Sequence, residues 1–391
     1  MSVSAGHQAV RAEFREFTDR VVAPYAEDFH RDQHTPDAVI KALADRGYLG
    51  LPIPEEFGGG GGDAVTVGLL ATELGRACSS VRSLFTVHTM VAHAIARWGS
   101  GAQRQRWLPL LATGERIGAF ALSEPEVGSD AAGVTTRAVP DGRGWLLRGR
   151  KKWITYGQIA DVFLVIGRTE QGPTAFLVER DTEGLTTEPI TELMGIRASM
   201  TAEVRLDGCT VADENLLGRP GLGVSHIAGA ALDLGRYTVA WGCLGIIDAC
   251  LTASVGYAGG REQFGAPLKE HQLVRQMISR MFTDHRAAEL LCLDAARLRD
   301  QRAPDALAAT SLAKYFASTA AVRCASDAVQ IHGANGCAAG HPVRRHYGDA
   351  KVMEIIEGSS QIHEINLAEY AFQEFSPGRH RPAPAAERSG I

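Results

Sequence analysis

Two periodicities divide this chain. Between His7 and Phe29, apolar side chains fall at Val10, Phe14, Phe17, Val21 and Val22, the spacing of one helical face, until Pro24 interrupts it. Val39–Leu49 repeats the pattern before Leu51-Pro-Ile-Pro breaks it. Further helices are predicted over Val65–Cys78, Val81–Trp98 and Ala102–Thr113. From Gly118 to Leu217 short β-rich runs alternate with turn residues. Trp145-Leu-Leu-Arg-Gly-Arg follows the turn Asp141-Gly142-Arg143-Gly144, and Val162–Ile166 and Thr174–Val178 flank Gln171-Gly172-Pro173 as a hairpin. Ala202–Leu206 adds a strand before Asp207-Gly208. Long helical patterns return over Val224–Tyr257, His271–Arg299, Asp305–Gly333 and after Gln361. The pattern predicts a mostly α protein with a central β-domain: helices over 1–116, strands over 117–220 and helices over 221–375. The Pro-rich end, 376–391, is expected to be a disordered tail.

Glycine adds two details. Gly58–Gly62 precedes no Gly-Lys-Ser/Thr and fits no dinucleotide fingerprint, so a flexible loop is expected there. Gly229, Gly235, Gly242 and Gly245 interrupt the Val224–Tyr257 helix, each costing about 1 kcal/mol of helix propensity against alanine. Close approach of another helix, or of a ligand, would explain them.

Composition narrows the class. The chain has 391 residues, 45% of them hydrophobic, and a net charge of −5, which disfavours general nucleic-acid or anionic-membrane binding. Its first residues lack the basic and apolar regions of a signal peptide, and no run of about 18 apolar residues predicts a membrane span. The cysteines at 78, 209, 243, 250, 292, 324 and 337 are scattered and odd in number, so buried thiols in a reducing cytoplasm are expected. His332, His341 and His346 lack metal-ligand spacing, and no metal site is predicted.

Two motifs carry the chemistry. Ile355-Ile356-Glu357-Gly358-Ser359-Ser360-Gln361 follows Ala121-Leu122-Ser123-Glu124-Pro125-Glu126-Val127-Gly128-Ser129-Asp130 after about 230 residues. In this order they resemble the catalytic base and flavin loop of the acyl-CoA dehydrogenase superfamily. The resemblance implies a helical N-terminal domain, a middle β-barrel or sandwich and a C-terminal four-helix bundle, with bound FAD. It places Phe120, Leu122, Ser123, Gly128 and Ser129 on the cofactor, joined by Trp153 and Thr155 of Lys152-Trp-Ile-Thr. Arg261, Gln263, Phe264 and Gln272, and Gln330 and Gly333, resemble segments that reach the FAD of a neighbouring subunit, so a homodimer or homotetramer is expected. Ala334 and Gly340-His341 depart from the family's usual residues there. Ser359 and Gln361 complete the implied cofactor contacts.

Glu357 is the implied general base. Abstraction α to a thioester needs a carboxylate held close and shielded from water, and burial raises its proton affinity. Some relatives carry the base on the helix starting near Val224, where this chain has Gly235. Arg236, paired with Asp233 or steadying Glu357, and Ile356 and Gly358 would border the substrate.

Cys78-Ser-Ser-Val-Arg-Ser-Leu, Arg236–Ile246 and Met353–Ser360 resemble a narrower group, the acyl-carrier-protein dehydrogenases that make hydroxymalonyl and methoxymalonyl extender units for polyketides. That implies a three-carbon, oxygenated acyl thioester on an acyl carrier protein. The alternative is a catabolic short- or branched-chain acyl-CoA dehydrogenase. Electron-transfer flavoprotein and oxygen are the candidate electron acceptors. Arg148, Arg150, Lys151 and Lys152, or Arg344 and Arg345, would offer an acidic carrier a basic face.

Overall fold

The computed structural model describes residues 3–142 and 144–376. Arg143, in the predicted turn, and all of the expected tail beyond Ser376 lie outside the described residues.

Six helices come first: α1 (Ala5–Val21), α2 (Ala26–Asp32), α3 (Asp37–Asp45), α4 (Ala64–Ala77), α5 (Ser79–Trp98) and α6 (Gly101–Ala112). Their starts are locally encoded. Ser4 caps α1, Asp63 accepts from Thr66 N–H at 2.7 Å to cap α4, and Ser100 with Gln103 forms a capping box on α6. The glycine run 58–62 differs from the expected flexible loop. All five amides donate to carbonyls of residues 50–55, among them Gly61 to Ile53 at 2.9 Å and Gly62 to Leu51 at 2.8 Å. A Cβ at Gly59 would collide with the Ile53 carbonyl, so these glycines permit a close double-back of the chain.

The strands are β1 (Gly118–Ala121), β2 (Arg137–Pro140), β3 (Trp145–Ile154), β4 (Val162–Thr169), β5 (Gly172–Glu179), β6 (Leu185–Pro189), β7 (Ala202–Val211) and β8 (Leu216–Leu217). They form one eight-stranded sheet in the order β6-β7-β3-β2-β4-β5-β8, with β1 parallel to β4. The β4–β5 hairpin runs in register from Val162 opposite Glu179 to Thr169 opposite Gly172. Alternate β4 side chains enter different cores. Val162, Leu164 and Ile166 join Met90, Ile95 and Trp107 from the helices, while Phe163 and Val165 join Leu147, Phe176 and Val204.

The remaining helices are α7 (Gly229–Gly260), α8 (Gln272–Asp300), α9 (Ala306–His332), α10 (Ala334–Cys337), α11 (Pro342–Met353) and α12 (Ser360–Phe375), with a minor β9–β10 ribbon (Glu262–Gln263, Ala266–Pro267) after α7. The sequence reading missed α10 and α11. Helix α9 packs on α7, α8, α11 and α12, and α4 packs along α7. Glycines make the α4–α7 approach possible: a Cβ at Gly245 would strike the Thr72 carbonyl, and one at Gly75 the Gly242 carbonyl. The helix Gly223–Gly260 is long and apolar enough to cross a membrane, contrary to the sequence expectation, but 61% of its most apolar window is buried inside the protein. Six of the cysteines are buried as expected; Cys337 is exposed.

Candidate active site

Glu357 lies in the turn between α11 and α12. Ile355 and Ile356 N–H both donate to Val352 O, at 3.0 and 3.1 Å, and Ser360 N–H closes the turn on Glu354 O at 2.9 Å. Glu357 takes the left-handed backbone conformation, φ 55°, which a side chain disfavours, followed by Gly358 at φ 98°. Its carboxylate rests on α7 at Gly235. A Cβ there would stand 2.9 Å from the Glu357 carboxyl carbon and 2.8 Å from Met90 Sδ. Absence of a side chain at 235 therefore makes room for the carboxylate. Among the α7 glycines, helix packing explains Gly245, Gly242 gives room to the Arg82 side chain, and Gly235 accommodates Glu357.

Three cations surround this group. Arg236 Nε donates 3.0 Å to the backbone carbonyl of Glu357, and Lys314 Nζ, from α9, donates 2.7 Å to that of Gly358. Arg82, from α5, is buried beneath. Burial raises the proton affinity of Glu357, and the charges of Arg236, Arg82 and Lys314 only partly offset it. The result is a carboxyl poised above the ordinary carboxylate range. Asp233 does not pair with Arg236. It forms an ion pair with Arg299 at 2.6 Å, because its neighbour on α7 turns towards the Glu357 turn instead. Ile356 is half-buried against the main core. Ser359 caps α12, accepting from Ile362 N–H at 3.4 Å, and Gln361 is exposed.

The Ser123 loop is braced from below. Glu124 is buried and accepts from the N–H and hydroxyl of both Thr135 and Thr136 at 2.6–2.9 Å, and from Lys151 Nζ at 2.7 Å. Burial opposes its ionisation, but Lys151 and the threonines hold the carboxyl down to about 2. Lys151 also donates to the carbonyls of Leu122 (3.1 Å) and Ile166 (2.6 Å). Lys152 N–H donates 2.9 Å to Ser123 O, which sets Trp153 beside the loop. Trp153 is 53% exposed in a left-handed conformation, φ 65°. Phe120 and Leu122 pack into the core beneath, while Gly128 and Ser129 are exposed and Gly128 has open space around it. The hydroxyls of Ser123, Ser129 and Thr155 have no hydrogen-bond partner among the described residues. An exposed indole beside unpaired hydroxyls and an open glycine backbone fits a flat ring system carrying phosphates, so these residues suit FAD.

The other implied cofactor residues lie elsewhere on the surface. Arg261, Gln263, Gln272, Gln330 and Gly333 are exposed, as is Phe264 at 99%. No hydrogen bond joins them to the Ser123 loop among the described residues. Two residues of the expected basic faces are withdrawn from the surface, Lys151 with Glu124 and Arg345 with Glu27 at 2.6 Å, whereas Arg148, Arg150 and Arg344 are exposed and Lys152 is half-buried. No group of metal-binding side chains occurs among the described residues.

Lys314 was not singled out from the sequence, and the buried roles of Arg82, Glu124 and Lys151 were not read there, although each stands in a segment named above. For Arg82 and Lys314 the available signal was a single Arg or Lys inside an otherwise uncharged stretch rich in small and apolar residues, Ser79–Ile95 and Ser311–Val322.

Comparison with known proteins places this geometry. The N-terminal, middle and C-terminal domain models of acyl-CoA dehydrogenase match residues 4–115, 119–209 and 222–372. Mouse (Mus musculus) mitochondrial short-chain specific acyl-CoA dehydrogenase is 36% identical over 94% of this chain and 90% of its own. A Mycobacterium smegmatis glutaryl-CoA dehydrogenase in complex with FADH2 superposes with a TM-score of 0.90 at 30% identity, covering 95% of each chain. FkbI, for biosynthesis of the methoxymalonyl extender unit of the FK520 polyketide, gives 0.85 at 34% identity, covering 93% of this chain and 99% of that one. With a carboxylate over Gly235 and a braced loop suited to a flavin, and with all three domain models matched between residues 4 and 372, this chain belongs to the acyl-CoA dehydrogenases, a family of FAD-dependent oxidoreductases.

Proposed function

We propose that the protein oxidises a short, oxygenated acyl thioester carried on an acyl carrier protein, with Glu357 as general base. The observation that carries the oxygenated acyl group is Arg82. It is fully buried, forms no ion pair among the described residues, donates only to Thr86 Oγ1 (2.9 Å) and Met353 Sδ (3.0 Å), and leaves Nε unpaired. An unpartnered buried guanidinium costs several kcal/mol unless something binds it. A hydrocarbon acyl chain gives it nothing; a hydroxyl or carboxylate does. A chain of hydrogen bonds leads from Arg82 through Thr86 and Thr238 to the Gly235 carbonyl, beside Glu357. Ile356 and Gly358 would border the same space. The carrier is supported by the segment resemblances above and by likeness to FkbI.

FAD, when bound, supplies the hydride acceptor. Phe120, Leu122, Ser123, Gly128, Ser129, Trp153, Thr155, Ser359 and Gln361 would hold it within the chain. The exposure of Arg261, Gln263, Phe264, Gln272, Gln330 and Gly333 supports their completing the site of a neighbouring subunit in a homodimer or homotetramer. Three units, 1–116, 117–220 and 221–375, would then meet around the cofactor. Glu357 accepts the proton released from the substrate's α-carbon or hydroxyl, its raised proton affinity matching that task. Oxygen or an electron-transfer flavoprotein would reoxidise the enzyme, which we place in the cytoplasm.

The test is anaerobic flavin bleaching. A three-carbon oxygenated acyl-ACP should bleach the flavin faster than butyryl-, isobutyryl- or isovaleryl-CoA, and Arg82→Met should abolish that preference. Faster bleaching by any of those CoA esters in the parent would favour the catabolic alternative.

A further inference from the structure

Lys314 has no exposed surface, yet no ion pair among the described residues involves it. Among the described residues its single hydrogen bond is the one to the Gly358 carbonyl. A buried ammonium ordinarily faces a hydrogen-bonded carboxylate, because Coulomb attraction must offset its lost hydration. Here the groups acting on it are Cys243 and Arg236 from α7, Glu357 in the turn and Glu354 at its start; His363 of α12 and Arg82 of α5 face the same turn. His363 is buried against Gly358, and burial with the two neighbouring cations holds its ring neutral, at about 3.

The arrangement has a functional logic. Arg236 and Lys314, from two different helices, donate to successive carbonyls of a turn whose two residues are both left-handed. Neither hydrogen-bonds to the carboxylate. A cation bonded directly to it would stabilise the ionised form and occupy the lone pairs that must accept a proton. Placed on the adjacent backbone, the cation fixes the carboxylate's direction and lowers the cost of ionising it, while leaving those lone pairs open.

We propose that Lys314 is a positioning residue for the dehydrogenation, setting both the orientation and the proton affinity of Glu357 through the Gly358 carbonyl. This rests on Glu357 being the base. Burial brings the Lys314 ammonium down to about 8, so it is charged at neutral pH.

Lys314→Gln keeps a donor for the carbonyl without the charge, and Lys314→Met removes both. The readout is the pH profile of anaerobic FAD reduction, using whichever of the oxygenated acyl-ACP or butyryl-CoA bleaches the parent faster. Removing a nearby cation raises a carboxylate's pKa, so the acid limb should move up by about one pH unit in both variants. Only Lys314→Met should also lose rate on the plateau, where a misdirected carboxylate shows. Stability supplies a second readout. A lysine whose folded pKa lies below its ordinary value of 10.5 burdens the fold below about 8, and that burden lifts as pH rises to 10.5. The stability of Lys314→Met relative to the parent should therefore fall across that range. An unmoved acid limb in FAD-loaded variants overturns the proposal, as does failure of both to fold, which would make the residue structural. If instead Glu357→Gln reduces its flavin at the parental rate, the base assignment fails before Lys314 is tested.

Discussion

Glu357→Gln should slow reduction of the bound flavin by about 10²–10⁴-fold, the usual loss on removing a general base. At 1.36 kcal/mol per factor of ten, that is about 3–5 kcal/mol of barrier. The amide matches the carboxylate in size, and Arg236 and Lys314 hold only backbone carbonyls of this turn, so the turn itself should persist. FAD content and the substrate-induced change in the flavin spectrum should stay near parental. Anaerobic stopped-flow absorbance gives the rate, and an unslowed variant would show that the base lies elsewhere. In the parent, the acid limb should sit above the pH at which an ordinary glutamate titrates, because burial outweighs the three cations. The geometry also decides how a relocated base must be built. A Cβ at 235 would stand 2.9 Å from the Glu357 carboxyl group and 2.8 Å from Met90 Sδ, so Gly235→Glu should regain more activity combined with Glu357→Gly, which clears the first of these contacts, than with Glu357→Gln.

The second large effect belongs to Lys151. Its ammonium joins Glu124 and the carbonyls of Leu122 and Ile166, tying the Ser123 loop to β4. Removing one partner of a buried pair leaves the other charge uncompensated, at a cost of about 3–5 kcal/mol. Lys151→Met should lose about that much stability in urea titrations and should retain FAD poorly, since the Leu122–Ser123 backbone loses its anchor. Adding Glu124→Gln should restore part of the stability, because a neutral amide needs no counter-charge. A loss below about 1 kcal/mol would mean that the threonines alone brace the loop. The pH dependence has a definite sign. With Glu124 held at about 2 against an ordinary 4.5, its contribution is complete above 4.5 and disappears as pH falls from there towards about 2.

Much of this was legible in the chain as written. Helical and strand periods depend on local burial patterns, which is why α7, α8 and α9 begin and end within a few residues of their predicted limits. The Glu357 turn and the Ser123 loop were visible as motifs because their residue types and order are themselves the signal. Helices α10 and α11 were not, since Gly, Pro and His break the apolar period between 334 and 353. Tertiary contact alone decided the rest. The glycine loop is pinned because residues 50–55 return to meet its amides. Asp233 and Arg236 part company because α8 brings Arg299 to one and the Glu357 turn meets the other. Lys151 and Arg345 looked like docking charges until the fold buried each against a carboxylate. The burial of Arg82 and Lys314 beside Glu357 joins α5, α9 and the α11–α12 turn, segments more than 40 residues apart. A charge's worth depends on what excludes water around it, and neighbours that distant in sequence are supplied only by the folded chain.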